Sequence, residues 1–252
     1  MQTTIVIPCY NEAARLDLEA FRAFVVDHPW ADFLFVDDGS TDRTGALLLE
    51  LSESRPESIR VSALDRNAGK AEAVRRGMQQ ALRSSSDLAG YWDADLATPL
   101  SEVERFRNAF IRDPQLEIAM GSRVRLLGRN IVRSMRRHYV SRVAATLISH
   151  LLGISVYDTQ CGAKIFRVTP GLGKLFADRF VSRWLFDVEI LARWLCDHPT
   201  VSHREVDQCI HELPLWGWID AEASRLRPAD FIRAPMELFA IYRNYSIQKL
   251  RS

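Results

Sequence analysis

The stretch Tyr91–Pro99, YWDADLATP, decides how the rest of the chain is read. Apolar residues run from Leu88 to Trp92, and acidic ones begin at Asp93. The pattern predicts a buried strand that delivers two carboxylates, Asp93 and Asp95, at its end. Residues two apart on an extended segment point to the same side, roughly 6–7 Å apart at the backbone. Both carboxylates can therefore converge on one divalent cation. Hard oxygen ligands suit Mg²⁺ or Mn²⁺, and such ions are usually held by one or two carboxylates plus substrate phosphates. A lone Asp-x-Asp is more often a solvated acidic turn, so its neighbours must decide.

Upstream, Thr3–Pro8, Phe33–Val36 and Ile59–Leu64 read as short buried strands, as does Leu116–Met120 downstream. Each ends in a polar cluster: Asn11 and Glu12, Asp37 to Asp42, Asn67 to Lys70, and Gly121 to Arg123. Helical stretches are predicted from about Ala13 to Val26, from Thr44 to Leu51 and from Asn67 to Leu82. Strands alternating with helices imply a parallel α/β sheet. Ligands bind outside the carboxyl ends of such strands. Glu12, Asp37, Asp38, Lys70, Asp93, Asp95 and Arg123 should therefore line one crevice.

Composition narrows the class. The 252 residues make one large domain or two small ones, and 47% of them are hydrophobic, enough for a substantial core. A net charge of +1 argues against a general nucleic-acid binder. Arg123, Arg125, Arg129, Arg133, Arg136 and Arg137 nevertheless crowd one short stretch. Cys9, Cys161, Cys196 and Cys209 form no Cys-x-x-Cys pair, which fits reduced cytosolic thiols better than disulfides or a zinc site. The start, MQTTIVIPCYNE, lacks the pattern of a signal peptide. No apolar run reaches the ~18 residues of a membrane span. The chain is expected to be soluble or to lie on a membrane surface, with no repeat or low-complexity segment.

Several spaced motifs carry a resemblance. IVIPCYNE (Ile5–Glu12), VDDGSTDRT (Val36–Thr44), NAGKAEAVRRGM (Asn67–Met78) and YWDADLATP look like the nucleotide-sugar-binding half of family 2 glycosyltransferases. GSR (Gly121–Arg123), DTQCGAKIFR (Asp158–Arg167) and LFDVE (Leu185–Glu189) look like the dolichyl- or polyprenyl-phosphate glucosyltransferase branch. The resemblance covers nearly the whole chain. It implies one GT-A domain over residues 1–252, with a mostly parallel, Rossmann-like sheet flanked by helices. Residues 1–123 would bind the nucleotide sugar and 124–252 the acceptor, through interfacial helices.

By resemblance, Glu12 with Asp37 and Asp38 would hold the base and ribose, joined by Pro8, Tyr10, Lys70 and Arg136 around the donor. Asp93 would face the ribose or sugar, Asp95 with Asp93 would hold the metal, and Arg123 would meet phosphate. Asp187, Asp158 and Arg137 would complete the catalytic set. Two departures stand out. Ala71 replaces a frequent second glycine, and Ala97 replaces the glutamine of phosphomannose-making relatives. The second favours a glucosyl donor, UDP-glucose over GDP-mannose.

In the second half, Tyr139–Leu152 is predicted to be amphipathic, with Tyr139, Val143, Leu147 and Leu151 in one row and Val140, Ala144, Ile148 and Leu152 beside it. It is either a core-facing helix or an interfacial one with a basic lead-in, MRRHYVSR. Asp158–Gly162 reads as a loop before a strand, Lys164–Val168. Asp158 is there either an active-site carboxylate or a turn cap. Asp187 and Glu189 open a helix, Phe186–Cys196, where acidic residues also favour the helix dipole. His198 and His203 read as structural or surface groups. Trp216 and Trp218 are expected in a loop. Pro228–Leu250 is predicted as a second amphipathic helix, with Phe231, Pro235, Leu238, Tyr242 and Tyr245 on one face, and Arg233, Arg243 and Lys249 nearby. Peripheral attachment to the cytoplasmic membrane face follows from the resemblance.

The expected reaction is inverting transfer of a hexose to a polyprenyl or dolichyl phosphate. A phosphate acceptor is largely ionised near neutral pH and hardly needs a base. A hydroxyl acceptor would need one, with Asp187 or Asp158 to serve. A sugar-nucleotide-binding protein without turnover is the alternative from another class, and the intact Asp93, Asp95 and Asp187 argue against it. A nucleotidyltransferase would carry a Gly-rich basic loop after the first strand, which PCYNEAARL lacks.

Overall fold

The computed structural model describes residues 1–132, 135–219 and 228–245, with side chains throughout except at 135–141 and 228–232. Thr3–Cys9 (β1) is almost wholly buried, as a strand covered by helices on both faces must be. Helix Leu18–Asp27 (α1) leads to Ala31–Asp37 (β2), and Thr44–Ser54 (α2) to Ile59–Ala63 (β3). Lys70–Ala81 (α3) crosses back to Leu88–Trp92 (β4), and Ser101–Arg112 (α4) leads to Ile118–Ser122 (β5). The second half holds Asn130–Val132 (β6), Met135–Leu152 (α5), Ala163–Arg167 (β7), Leu172–Leu175 (α6), Phe186–Asp197 (α7), His203–Cys209 (α8), Ile210–Pro214 (β8), Gly217–Ile219 (β9) and Pro228–Tyr245 (α9).

The seven-stranded sheet has the order β3-β2-β1-β4-β7-β5-β8, and β6 pairs with β9 in a separate ribbon. The sheet is mostly parallel, with β7 antiparallel to both β4 and β5. That reversal has a consequence for the site. Ala163, the first residue of β7, pairs with Trp92, the last of β4. The loop before β7 therefore arrives at the carboxyl edge of the parallel strands.

Alternate residues of β1 feed two cores, as the period of a strand requires. Val6 packs with α3, α5, α7 and α9, whereas Ile5 and Ile7 pack with α1, α2 and α4. Helix α3 lies flush on the sheet because Gly77 has no side chain. A Cβ there would sit 2.3 Å from Val6 Cγ1 and 2.9 Å from Val36 Cγ2.

The boundaries differ from the sequence expectation for identifiable reasons. Helix α1 starts at Leu18 rather than Ala13, because the Asp17 side chain caps Ala20 N at 3.0 Å while the Glu12 carbonyl accepts from Arg15 and Leu16 N. Proline does not end β1, which continues to Cys9; Pro8 lies beyond the last pairing with β4, Val6 to Tyr91. Helix α5 starts at Met135, ahead of Tyr139. Helix α4 was not anticipated, although Val103, Phe106 and Phe110 mark its buried face at helical spacing. Trp218 stands in β9, not in a loop, opposite Ile131.

Both predicted amphipathic helices divide their apolar residues. On α5, Ile148 and Leu152 enter the core, whereas Val143 and Leu147 face outward. On α9, Ile241 is fully buried with Ala234, Leu238 and Tyr245 packed about it, whereas Pro235, Met236 and Phe239 face outward. Of the face expected on α9, Leu238 and Tyr245 pack inward, whereas Pro235 faces outward. The expected contributions of Tyr139, Val140, Phe231 and Lys249, and of Arg133, Arg136 and Arg137, lie outside the described residues and side chains.

Gly77→Ala is expected to destabilise by about 1–3 kcal/mol through overpacking. Adding Val6→Ala should recover part of that loss, because it removes the methyl groups that the new Cβ meets. Chemical denaturation of the single and double variants measures both.

Candidate active site

Strands β2 and β3 lie to one side of β1, and β4 lies to the other, so the sheet divides between β1 and β4. Ligands bind at such a division in open α/β sheets. The loops after β1, β2 and β4 meet there, with the loop that opens α3 beside them.

Backbone amides and carboxylates lace these loops together. Asn11, in the left-handed region at φ 50°, accepts from Thr41 N at 2.8 Å on its side-chain oxygen. Glu12 is buried and accepts from Arg15 at 2.6 Å, while its own N–H donates to Thr44 Oγ1. Asp37 accepts from Ser40 N at 3.0 Å. Asp38 accepts from Ala68 N at 2.7 Å and from Gly69 N at 2.8 Å, which fixes the loop that opens α3. Burial pushes the Asp38 carboxyl up; the two amides and Arg183 pull the other way without cancelling it. Pro8 and Tyr10 lie partly exposed at the same end of β1.

Asp93 and Asp95 do not lie on an extended segment, as the sequence had suggested. The strand stops at Trp92, and a turn follows, closed by Leu96 N on Asp93 O at 3.3 Å with Leu96 at φ 51°. Asp93 is ion-paired with Lys70. Burial works to lower the Lys70 pKa, but Asp93, Asp187 and Asp95 outweigh it and raise it. The Asp93 carboxylate rests on Gly162, where a Cβ would stand 1.9 Å from Oδ2. Asp95 accepts from Ala97 N at 3.1 Å, and burial, then the charge of Asp93, pushes its carboxyl up.

This donor set fits a hard divalent cation. Among the described residues no cluster of three His, Cys, Asp or Glu is disposed to hold a metal. Two carboxylates suffice where substrate phosphates complete the shell. Asp95, charged only at a cost, is the side chain that a cation would relieve.

The remaining candidates are tied to cations of their own. Arg123 grips Asp158 with Nε at 2.6 Å and Nη2 at 2.7 Å, and its backbone N–H donates to the same carboxylate at 3.0 Å. Glu212 on β8 holds this loop by accepting from Tyr157 N and Asp158 N, both at 2.7 Å. Asp187 is buried at the start of α7 and accepts from Lys164 Nζ at 2.6 Å and from the Tyr91 hydroxyl. Glu189, fully buried, is structural: it accepts from Val181 N, Ser182 N, Arg193 and Tyr245. Burial raises the Cys9 thiol and pushes Cys161 up to about 11, so neither is a nucleophile near neutral pH.

The β6–β9 ribbon closes one side of the crevice. Ile219 N donates to Ala97 O at 3.1 Å, which ties the ribbon to the turn of Asp93 and Asp95. The ring of Trp218 lies 5.4 Å from the Arg123 guanidinium. Its other face is apolar and exposed, with Val132 opposite Ile219 and with Trp216 stacked on Arg129 at 3.3 Å.

The structure thus gathers Glu12, Asp37, Asp38, Lys70, Asp93, Asp95, Arg123, Asp158 and Asp187 along one edge. Lys164, Glu212, Gly162 and Arg183 were missed. A lysine inside a buried strand was the available signal for the first.

A family model described as Glycosyl transferase family 2 matches residues 4–170. The chain belongs to glycosyl transferase family 2. This glycosyltransferase is 31% identical over 264 residues to the dolichyl-phosphate beta-glucosyltransferase of Saccharomyces cerevisiae, covering 96% of this chain and 74% of that one. The Mus musculus enzyme of the same name is 30% identical over 236 residues, covering 86% and 72%. The polyprenol monophosphomannose synthase of Mycolicibacterium smegmatis is 33% identical over 168 residues, covering 66% and 62%. In fold, the glycosyltransferase matches glucosyl-3-phosphoglycerate synthase from Mycobacterium tuberculosis, crystallised with Mn²⁺, UDP-glucose and phosphoglyceric acid, at a TM-score of 0.66. That match covers 97% of this chain and 79% of the other at 19% identity, and the shared fold is GT-A.

Gly162→Ala is expected to leave the glycosyltransferase folded and to push the Asp93 carboxylate away from its seat. Displacing a site group by about 1 Å can cost about 10²-fold in rate. Turnover of the purified variant, beside its melting temperature, checks this.

Proposed function

We propose that this glycosyltransferase moves glucose from UDP-glucose to a polyprenyl or dolichyl phosphate at the cytoplasmic face of a membrane. One observation carries the choice of acceptor. The two carboxylates expected as general bases are both committed, Asp158 to Arg123 and Asp187 to Lys164 and Tyr91. A hydroxyl acceptor needs a base. A phosphate monoester, with a second pKa of about 6, brings its own charge to the reaction. The names of the yeast and mouse relatives support the same acceptor and sugar. Ala97, in place of the glutamine of mannosyl relatives, agrees with glucose.

Residues 1–123 hold the donor and residues 124–252 the acceptor within one GT-A domain. Glu12, Asp37 and Asp38 orient the nucleoside, with Pro8 and Tyr10 beside it. Asp95, with Asp93, would hold Mg²⁺ or Mn²⁺, which neutralises charge on the leaving diphosphate. Lys70 keeps Asp93 in place. Arg123, held rigid by Asp158, presents positive charge to phosphate, and Arg136 and Arg137 add to it. Asp187 positions the acceptor side through its bond to Tyr91.

Exposed apolar groups support a membrane surface as partner. Val143 and Leu147 on α5, Met236 and Phe239 on α9, and Leu126, Leu127 and Trp216 by the ribbon all face outward. Arg125 and Arg129 stand among the last group, suited to anionic lipid. Among the described residues no helix is long and apolar enough to cross a membrane.

The test is to incubate the enzyme with radiolabelled UDP-glucose or GDP-mannose and polyprenyl phosphate in detergent. Label from UDP-glucose should enter the organic phase, and EDTA should stop it until Mg²⁺ or Mn²⁺ is restored. Label that moves only from GDP-mannose, or only onto a hydroxyl acceptor, overturns the assignment.

Vesicle flotation addresses the membrane. The protein should float with anionic vesicles at low salt, and high salt should release it as screening weakens the attraction. Leu127→Asp, at a fully exposed position, should weaken flotation while leaving turnover of detergent-dispersed acceptor intact.

A further inference from the structure

We infer that Arg183, carried by the turn before α7, is a donor-site residue that contacts the diphosphate of the bound nucleotide. This rests on the nucleoside diphosphate donor proposed above. The turn is rigid on both sides of the arginine. Buried Glu189 accepts from Val181 N at 3.1 Å and from Ser182 N at 3.0 Å. Glu237, reaching over from α9, accepts from Trp184 N at 3.2 Å and from the Ser182 hydroxyl. Ser182 Oγ in turn accepts from Leu185 N at 2.6 Å. Every residue around Arg183 is thus pinned by a buried or part-buried bond, whereas Arg183 itself is exposed.

The side chain crosses to the donor half. Nη2 donates to Ala68 O at 3.2 Å, which is its single hydrogen bond among the described residues. A guanidinium carries five N–H donors, so most of its capacity is unspent. It lies on Gly69, where a Cβ would stand 2.8 Å from Nη2. Gly69 also holds φ at 96°, so glycine serves here both the backbone and the space the arginine occupies. On either side of this contact are groups assigned to the donor. The Gly69 N–H is bound by Asp38, and Lys70, the first residue of α3, is paired with Asp93. The charge of Arg183 reaches Asp38 and lowers its pKa against the effect of burial.

Chemistry then selects the ligand. Arg183 adds its charge to the amino-terminal end of a 12-residue helix, beside a Lys70 that Asp93 already matches. An anion held by a planar, multi-donor group and a helix terminus is best a phosphate. The nucleoside lies toward Asp37 and Asp38, so its diphosphate is the anion that extends from there to Asp95. An arginine from the acceptor half thereby closes over a donor bound by the other half.

The experiment is equilibrium dialysis of radiolabelled UDP, GDP and uridine with wild type, Arg183→Ala and Arg183→Lys. Losing a hydrogen bond to a charged group should weaken UDP binding about tenfold to a hundredfold. Uridine binding should not change, and Arg183→Lys should recover part of the UDP affinity. Unchanged UDP affinity in Arg183→Ala overturns the inference, and so does an equal loss for UDP and uridine, which would mark Arg183 as a structural latch alone. A wild-type protein that binds neither UDP nor GDP instead overturns the donor assignment on which the inference rests.

Discussion

The Lys164 ammonium lies buried beneath the carboxyl edge of the sheet, donating to the carbonyls of Thr159 and Cys161 and to Asp187. The Tyr91 hydroxyl donates to the same carboxylate oxygen. Four segments meet at this point: β4, β7, the loop between α5 and β7, and the start of α7. Removing one member of a buried pair typically costs about 3–5 kcal/mol, because its partner is left charged and unpaired. Such a pair contributes little net stability compared with apolar packing. What it supplies here is position. It fixes the loop that carries Gly162, and Gly162 is the seat of Asp93.

The same logic extends across the site. Most of its charges are matched before any ligand arrives: Lys70 by Asp93, Arg123 by Asp158, Arg15 by Glu12. Groups held in place by charge-assisted bonds present fixed dipoles to the reacting atoms without reorganising. Asp95 differs, since burial and the repulsion of Asp93 outweigh its one backbone amide and the more distant charges of Lys70 and Arg15. The imbalance stands where the proposed function puts the leaving diphosphate and its cation.

Much of the first half of the chain was legible in the sequence. Short buried strands, each followed by a polar cluster, require parallel β/α order, and that order places the clusters together whatever the details of packing. The Asp37–Asp42 and Asn67–Lys70 clusters sit where expected because both are turn signals joined to strand ends. The second half was less legible. Strands β6, β8 and β9 are short or only half-buried, so no hydrophobic period announces them. Helix α4 did carry a period, in Val103, Phe106 and Phe110.

The sequence by itself determined the class of fold, the family and the carboxyl-edge crevice, because each follows from local pattern and residue order. Only the tertiary structure decided what the charged residues do there. Asp158 and Asp187 look alike as bare acidic residues, yet their partners Arg123 and Lys164 come from distant positions. Whether a carboxylate is a base or an anchor depends on the charge beside it, and chain spacing does not encode that. The antiparallel insertion of β7 is the physical reason. By reversing one strand between β4 and β5 it turns the Asp158–Gly162 loop onto the edge occupied by Asp93, and so joins the two halves into one site.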